Sequence, residues 1–240
     1  MQDRLTFTVS GVSFSLRLVT HGTFLMGADP STDPDADEDE SPVHSVTISR
    51  DYYLAETPVT QALYMAVMGS NPSYFMGDTS RPVEQVSWND CQAFIKKLNS
   101  IITDGSFSLP TEAEWEFAAR GGNLSKGYKY AGSDDIDDVA WYDGNSDDQT
   151  HPVSENAPNE LGLYDMSGNV WEWCADWDCN YPSSSVTDPV GPDSGLKRVL
   201  RGGGYYGSPR DCRLSYRFWF NPDFSFDNSC FRLLFRPSNS

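Results

Sequence analysis

The chain has 240 residues, of which 38% are hydrophobic and 13% aromatic, so it can bury a sizeable core. Its formal net charge of −18 argues against nucleic acids and anionic membrane surfaces as partners, because both are bound through cationic groups. No membrane insertion by this chain is expected, since it lacks the run of about 18 apolar residues that a membrane span needs. We predict one domain over residues 1–240, because no linker-like stretch divides the sequence.

The first strands are predicted from alternating hydrophobicity. Residues 5–9 and 12–16 alternate on either side of a Ser-Gly pair, a pattern typical of a β-hairpin. Residues 24–27 and 43–48 predict two further strands, with an acidic run over residues 33–40 between them. We expect this run to be a solvated loop. Calcium capture is the alternative, since hard cations bind several oxygen ligands.

Three helix starts follow. Thr60 and Ser87 each precede a stretch with apolar residues on one helical face. Thr111 opens a Thr-x-x-Glu capping box with Glu114, and the glycines at 121–122 end that helix. Beyond this point only short strands are expected, because Gly, Asp, Asn, Ser and Pro become frequent.

Residues 201–232 hold an unusual concentration of aromatic side chains between short framing motifs. The rings are Tyr205, Tyr206, Tyr216, Phe218, Trp219, Phe220, Phe224 and Phe226. Gly, Pro and Asp interrupt the segment, which predicts loops rather than the interior of a strand or helix. Exposed rings on loops favour a recognition patch. Core packing in a loop-rich fold is the alternative.

Several segments together resemble the formylglycine-generating enzyme family, also called sulfatase-modifying factors. The most specific are LPTEAEWEFAARGG over residues 109–122, GLYDMSGNVWEWCADW over 162–177, and RVLRGG with CR, NPD and FR over 198–232. The resemblance runs in order through nearly the whole chain. It implies an irregular α+β fold of the C-type lectin type, with little regular secondary structure and long loops.

The enzymes of this family oxidise a substrate cysteine with copper held by two cysteines. In this chain the second position matches Cys212, but the first falls on Gly207. Two thiolates make the linear site that suits copper(I), and one cannot. We therefore expect neither copper nor this catalysis, and we interpret Cys212 as a structural thiol. Other family enzymes use iron held by histidines, but the histidines here lack a helical metal-binding spacing.

The family also binds calcium in the turn around GNVWEW. The matching positions in this chain are Asp165, Gly168, Val170 and Glu172. Two carboxylates and two backbone carbonyls suit a hard cation, so a structural calcium ion is predicted. The alternative is that Glu172 only forms a local ion pair or cap.

Non-enzymatic relatives carry asparagine at many positions of the aromatic segment. The matching residues here are Tyr206, Gly207, Ser208, Asp211, Phe218, Phe220, Phe224, Phe226, Asp227 and Asn228. Each can arise from the codon AAC by changes at adenine alone, whereas Trp219 cannot. This pattern is similar to the variable proteins of diversity-generating retroelements. We predict a ligand-binding segment over about 204–230, which also includes Tyr205, Tyr216 and Trp219, while Arg201, Cys212, Arg213, Pro222 and Arg232 point inward or hold turns.

Two functional hypotheses follow. The first is a ligand-binding protein at the cell surface or outside the cell, whose signal or lipid anchor is not in this chain. It would bind a protein or other macromolecule as a monomer. The second is an oxidoreductase of the formylglycine-generating type, or an accessory factor for one. The glycine at position 207 favours the first hypothesis.

Overall fold

Short strands and a few helices build the molecule, as a computed structural model describes it over residues 2–238. The strands are β1 (Arg4–Val9), β2 (Val12–Val19), β3 (Gly22–Met26), β4 (His44–Ile48), β5 (Tyr52–Ala55), β6 (Gly105–Ser108), β7 (Trp171–Trp177), β8 (Val186–Thr187), β9 (Arg198–Arg201), β10 (Phe218–Phe220), β11 (Ser229–Phe231) and β12 (Leu234–Pro237). The helices are α1 (Gln61–Met68), α2 (Trp88–Ile101) and α3 (Glu112–Ala119). The architecture is therefore mixed α+β, as predicted.

The strands form three small sheets. A five-stranded sheet has the order β1-β2-β5-β12-β6, and a four-stranded sheet has the order β10-β9-β7-β11. A three-stranded sheet, β3-β4-β8, completes the set in the described residues. The predicted hairpin is confirmed, because β1 pairs with β2 around Ser10 and Gly11, whose φ angles are 49° and 85°.

All three predicted helix starts are confirmed. Thr60, Ser87 and Thr111 each occupy the N-cap position, and each side chain accepts a backbone N–H bond from the first turn. The third helix differs from the other two because every one of its residues is buried. Its three glutamates therefore need cationic or hydrogen-bonding partners inside the protein.

The expectation of only short strands after residue 122 is wrong for β7, which runs for seven residues. This strand lies inside the four-stranded sheet, and its first four residues are buried. A strand buried on both faces lacks hydrophobic alternation, which hides it from a pattern-based prediction. The expectation of loops throughout residues 201–232 is also wrong in part, because β10 and β11 lie within that segment.

The core consists of two large clusters of buried apolar residues. One packs α1 and α2 against the five-stranded sheet, and Trp173 lies within it. The other surrounds Trp115 of α3. Phe218 and Phe220 are partly buried against the first cluster, so the aromatic segment is continuous with the core. Over residues 2–238 no helix combines the length and the apolar character that crossing a bilayer requires. The division of the chain into one domain stays a prediction.

Candidate functional site

Four buried arginines tie the aromatic segment to the rest of the chain. We call them the anchor arginines: Arg201, Arg213, Arg217 and Arg232, each at most 4% exposed. Their carboxylate partners are Glu116, Glu40, Glu112 and Glu172, respectively. The sequence predicted that three of these arginines point inward and did not single out Arg217.

The arginines hold two of these carboxylate partners, Glu112 and Glu40, in the charged form. Burial alone would raise the pKa of Glu112, but Arg217 and Arg201 together lower it. Arg217 Nε lies 2.6 Å from Glu112 Oε1. Burial likewise opposes ionisation of Glu40, whereas Arg213, at 2.5 Å, lowers the pKa of that carboxyl. The segment is thus fixed by charged pairs that are shielded from water.

Between the anchors, the chain forms an open pocket with a volume of about 250 Å³. We call it the aromatic pocket; its lining is Trp171, Leu200, Tyr206, Gly207, Asp211, Tyr216, Phe218, Phe220, Phe226 and Asn228. Ring centroids of Trp171 and Phe218 are 5.2 Å apart, and those of Phe220 and Phe226 are 4.6 Å apart. The rings are in contact, so they form one continuous wall.

Most residues of the predicted ligand-binding segment lie in or beside this pocket. Tyr206 and Phe224 are 52% and 55% exposed, and the Phe224 ring packs edge-on against Phe220. Phe218, Phe220, Phe226 and Tyr216 are half-buried. Ser208 lies next to the pocket, where its backbone N–H donates to Asp211 Oδ2 at 2.8 Å. Asp227 is half-buried beside Phe226. The structure therefore brings together side chains that the sequence distributes over more than twenty positions, from 206 to 228.

Two predicted aromatic residues do not belong to the exposed wall. Tyr205 is only 5% exposed and packs edge-on against Phe75. Trp219 does not line the pocket, although its ring is parallel to that of Phe218 with 6.3 Å between the centroids. Lys197 Nζ covers its ring at 3.3 Å from the centroid. Trp219 is also the position that departs from the asparagine-codon pattern.

Some predicted positions are buried although they line the pocket. Asn228 is 1% exposed, and Gly207 is buried as well. These two positions therefore contribute to the pocket lining without being exposed on the surface. Cys212 is fully buried, as predicted, and Pro222 lies in a turn.

Sequence reasoning missed Trp171 and Leu200, which form part of the pocket wall. Trp171 opens β7 and belongs to the GNVWEW motif. Leu200 lies in β9, opposite Phe218 of β10. The pairing of β9 with β10 would have indicated Leu200, but a three-residue strand gives no usable pattern.

The pocket carries few polar groups. Asp211 Oδ2 accepts bonds from the backbone N–H and the hydroxyl of Ser208, at 2.8 and 3.0 Å. Burial and the nearby Asp211 carboxylate raise the pKa of Tyr216 to about 12. Asn228 Nδ2 is buried without a well-aligned hydrogen-bond partner. A largely apolar wall with a few convergent polar groups is the usual composition of a binding pocket.

The residues present do not fit the copper site of the family. Gly207 supplies no ligand, and burial raises the pKa of the Cys212 thiol, which disfavours the thiolate that binds metal. All five cysteines are free thiols. The histidines are engaged elsewhere: His21 bonds with Asp51, and His151 stacks on Trp141 with 3.8 Å between centroids.

Two of the predicted calcium ligands, Glu172 and Gly168, accept hydrogen bonds within the protein. Both oxygens of Glu172 are occupied, one by Arg232 Nη2 at 2.7 Å and the other by Trp115 Nε1 at 2.7 Å. The Gly168 carbonyl accepts the Val170 N–H at 2.8 Å. Within residues 2–238, no cluster of three acidic, cysteine or histidine side chains is placed to hold a metal. The Glu172 alternative, a local ion pair, matches these contacts.

The calcium ion itself stays a prediction with a direct test. Burial raises the pKa of Asp165 to about 6, and an ion bound to this carboxylate would reverse that effect. Binding to the folded state alone raises the melting temperature by mass action. A melting temperature that is the same in excess calcium and in chelator would contradict the predicted site.

Exchange of the pocket rings for serine should separate binding from stability. Phe224→Ser is expected to change the free energy of unfolding by no more than about 0.5 kcal/mol, because its ring is mostly exposed. Phe220→Ser should lower the free energy of unfolding by roughly 1–2 kcal/mol, because Phe220 is half-buried. Truncation of a fully buried ring would cost about 3–5 kcal/mol. Urea unfolding of both variants measures these changes. A loss of about 3 kcal/mol at Phe224 would mean that the ring belongs to the core.

Comparison with known proteins agrees with the predicted resemblance. Residues 14–237 match the family model of the sulfatase-modifying factor enzyme 1-like domain. The structure of Treponema denticola variable protein 1 superposes with a TM-score of 0.89 at 33% identity, covering 99% of this chain and 100% of the other. The C-type lectin type of α+β fold is thereby confirmed.

Two curated relatives show the range of the family. The chaperone protein LppX of Paenibacillus barcinonensis is 36% identical over 221 residues, which cover 72% of this chain and 75% of LppX. The formylglycine-generating enzyme of Streptomyces coelicolor is 38% identical over 175 residues, covering 65% of this chain but only 53% of the enzyme. From its motifs, its fold and these matches, the chain belongs to the sulfatase-modifying factor family, also known as the formylglycine-generating enzyme family.

Proposed function

We propose that this protein is a non-enzymatic ligand-binding protein that presents a diversified, aromatic-rich face on a C-type lectin scaffold. The observation that carries the proposal is the interleaving of two kinds of residue in one segment. The anchor arginines are buried in ion pairs, whereas the intervening rings line an open pocket. Changes in the rings can therefore alter binding without removing the anchors.

The physical properties of the pocket favour recognition of a partner. Aromatic side chains give a large contact area at low entropic cost, and small polar residues give adaptable hydrogen bonds. A fixed scaffold limits the loss of conformational freedom on binding. Tyr206 and Phe224 are the most exposed rings of the segment, which makes them first candidates for binding hot spots.

The proposed partner is a protein or another macromolecule, and not a nucleic acid. We expect this protein to bind it as a monomer, at the cell surface or outside the cell. Similarity to a structure titled variable protein supports diversification by a retroelement. Similarity to a chaperone protein supports a role in holding another molecule. The decisive genetic observation is a neighbouring reverse-transcriptase gene with a near-identical template repeat. Without that repeat, the retroelement origin would be wrong while the binding pocket would remain.

Oxidation of a cysteine, or assistance to an enzyme that performs it, is the second candidate function. Relatives named formylglycine-generating enzymes support it. It requires a metal site that this chain lacks at Gly207, so it ranks below ligand binding.

Copper titration distinguishes the two functions. The unaltered protein should show no stoichiometric copper(I) binding against a competing chelator, because only one thiol is present at the family's metal site. Gly207→Cys should gain at least tenfold in copper(I) affinity. A side chain fits there, since a Cβ at Gly207 would meet its nearest atoms at 3.2 and 3.4 Å. Gly207→Ser is the matched control. Tight copper binding by the unaltered protein, with oxygen-dependent turnover of a cysteine peptide, would contradict the proposal.

A further inference from the structure

We propose that the aromatic pocket binds an ammonium group, as presented by a lysine or N-methylated lysine side chain of a protein partner. This inference rests on the proposed function and gives the chemistry of recognition. It follows from three features of the pocket: its rings, its charge and its size.

The rings surround the pocket from several directions. Trp171 lies between Phe218 and Tyr216, with centroid distances of 5.2 and 5.9 Å and interplanar angles of 36° and 43°. Phe220 meets Phe226 edge-on, at an angle of 81°. The rings that line the pocket are thus inclined to one another at several different angles. The face of an aromatic ring is electronegative and attracts cations, most strongly for tryptophan.

The charge of the pocket also favours a cation. Asp211 is the charged residue in the pocket lining, and the lining contains no lysine or arginine. The Arg213 guanidinium lies 5.7 Å from the Tyr216 centroid and is paired with Glu40, and Arg201, which donates to the Tyr216 carbonyl, is paired with Glu116. Arg210 is likewise turned away, towards the acidic residues Asp35 and Asp37. With a net charge of −18, the protein attracts cationic partners at long range as well.

The size of the pocket suits one side chain. Its volume of about 250 Å³ lies below the roughly 300–1,000 Å³ of pockets that enclose drug-sized ligands. An extended lysine side chain can place its methylenes against the apolar wall and its nitrogen near Asp211. Removing a cation from water strengthens its attraction to the rings, and a partly enclosed pocket provides that environment.

The test compares a charged probe with an uncharged one of the same shape. N-acetyl-trimethyllysine methylamide is titrated into the intact protein by NMR, alongside the isostere in which carbon replaces the ammonium nitrogen. We expect the ammonium compound to bind at least tenfold more tightly and to shift the indole resonance of Trp171. Equal affinities would overturn the inference and define the pocket as simply apolar. Absence of binding by both compounds would overturn it too.

Two variants test whether the preference for the ammonium compound arises in the pocket. Asp211→Asn should reduce the preference for the ammonium compound several-fold, since it removes the carboxylate while keeping an oxygen for Ser208. Asp193→Asn, which removes the same charge at an exposed position away from the pocket, should leave the preference unchanged. Equal effects of the two variants would show that only net charge matters, which would also overturn the inference.

The proposed function is tested separately. A macromolecular partner that loses binding on Phe224→Ser while showing no preference for cations would support the binding face and refute the ammonium chemistry. A partner unaffected by Phe224→Ser and by Phe220→Ser would instead refute the proposed function.

Discussion

Replacing Arg232 by methionine should destabilise the protein by about 3–5 kcal/mol, because the change leaves a buried carboxylate without its charged partner. Arg232 is fully buried and donates to both oxygens of Glu172. It also donates to the backbone carbonyls of Ala55 and Tyr164, at 2.8 and 2.7 Å. One side chain therefore links β5, β7 and the loop before GNVWEW.

Arg210→Met is the matched control, since Arg210 also pairs with a carboxylate, that of Asp37, but these two side chains are 44% and 40% exposed. Surface pairs of this kind contribute about 1 kcal/mol or less. Urea unfolding of both variants measures the difference. Adding Glu172→Gln to Arg232→Met should recover part of the loss, because it removes the unpaired charge. Equal losses for Arg232→Met and Arg210→Met would show that burial does not strengthen the anchor.

Gly203→Ala should also destabilise the protein strongly. We expect it to lower the free energy of unfolding by roughly 2–5 kcal/mol, from backbone strain and overpacking together. Gly203 has a φ of +79°, a conformation that side chains rarely adopt. An added Cβ would lie 2.8 Å from Cys212 Sγ and 2.9 Å from the Asp211 carbonyl oxygen. The glycine thus allows the two parts of the segment to approach closely behind the pocket.

Gly207→Ala provides the comparison later in the same segment. Its added Cβ would meet the Gly204 carbonyl oxygen at 3.2 Å and Asp211 at 3.4 Å, which are tight but tolerable contacts. We expect a change of no more than about 1 kcal/mol, measured by thermal or urea unfolding. If Gly203→Ala were equally mild, close approach of the chain at Gly203 would not be a requirement of the fold.

Local signals in the sequence predicted the hairpin and the three helix starts correctly. The Ser-Gly turn and the capping residues act over a few positions, so their effect can be predicted without the tertiary structure. β7 could not be found in this way, because burial on both faces removes its alternation. The family motifs supplied the fold class, which no local pattern predicted.

The sequence indicated most of the aromatic residues that line the pocket, but not every residue of its wall. Composition and codon pattern located the pocket rings from Tyr206 to Phe226. They did not reveal that Trp171, far earlier in the chain, completes the wall. They also placed Trp219 with the other rings, although it does not line the pocket and Lys197 covers its ring. Both errors come from tertiary contacts, which residue type alone does not determine.

The anchor arginines also determine when the pocket can assemble. The four ion pairs join residues that are 60, 85, 105 and 173 positions apart. Contacts of such long range require most of the loop-closure entropy to be overcome first. Each glutamate leaves the ribosome before its arginine, so the pocket is completed only after residue 232 has been synthesised. A complete pocket is therefore restricted to molecules in which all four pairs have formed, whichever rings the segment carries.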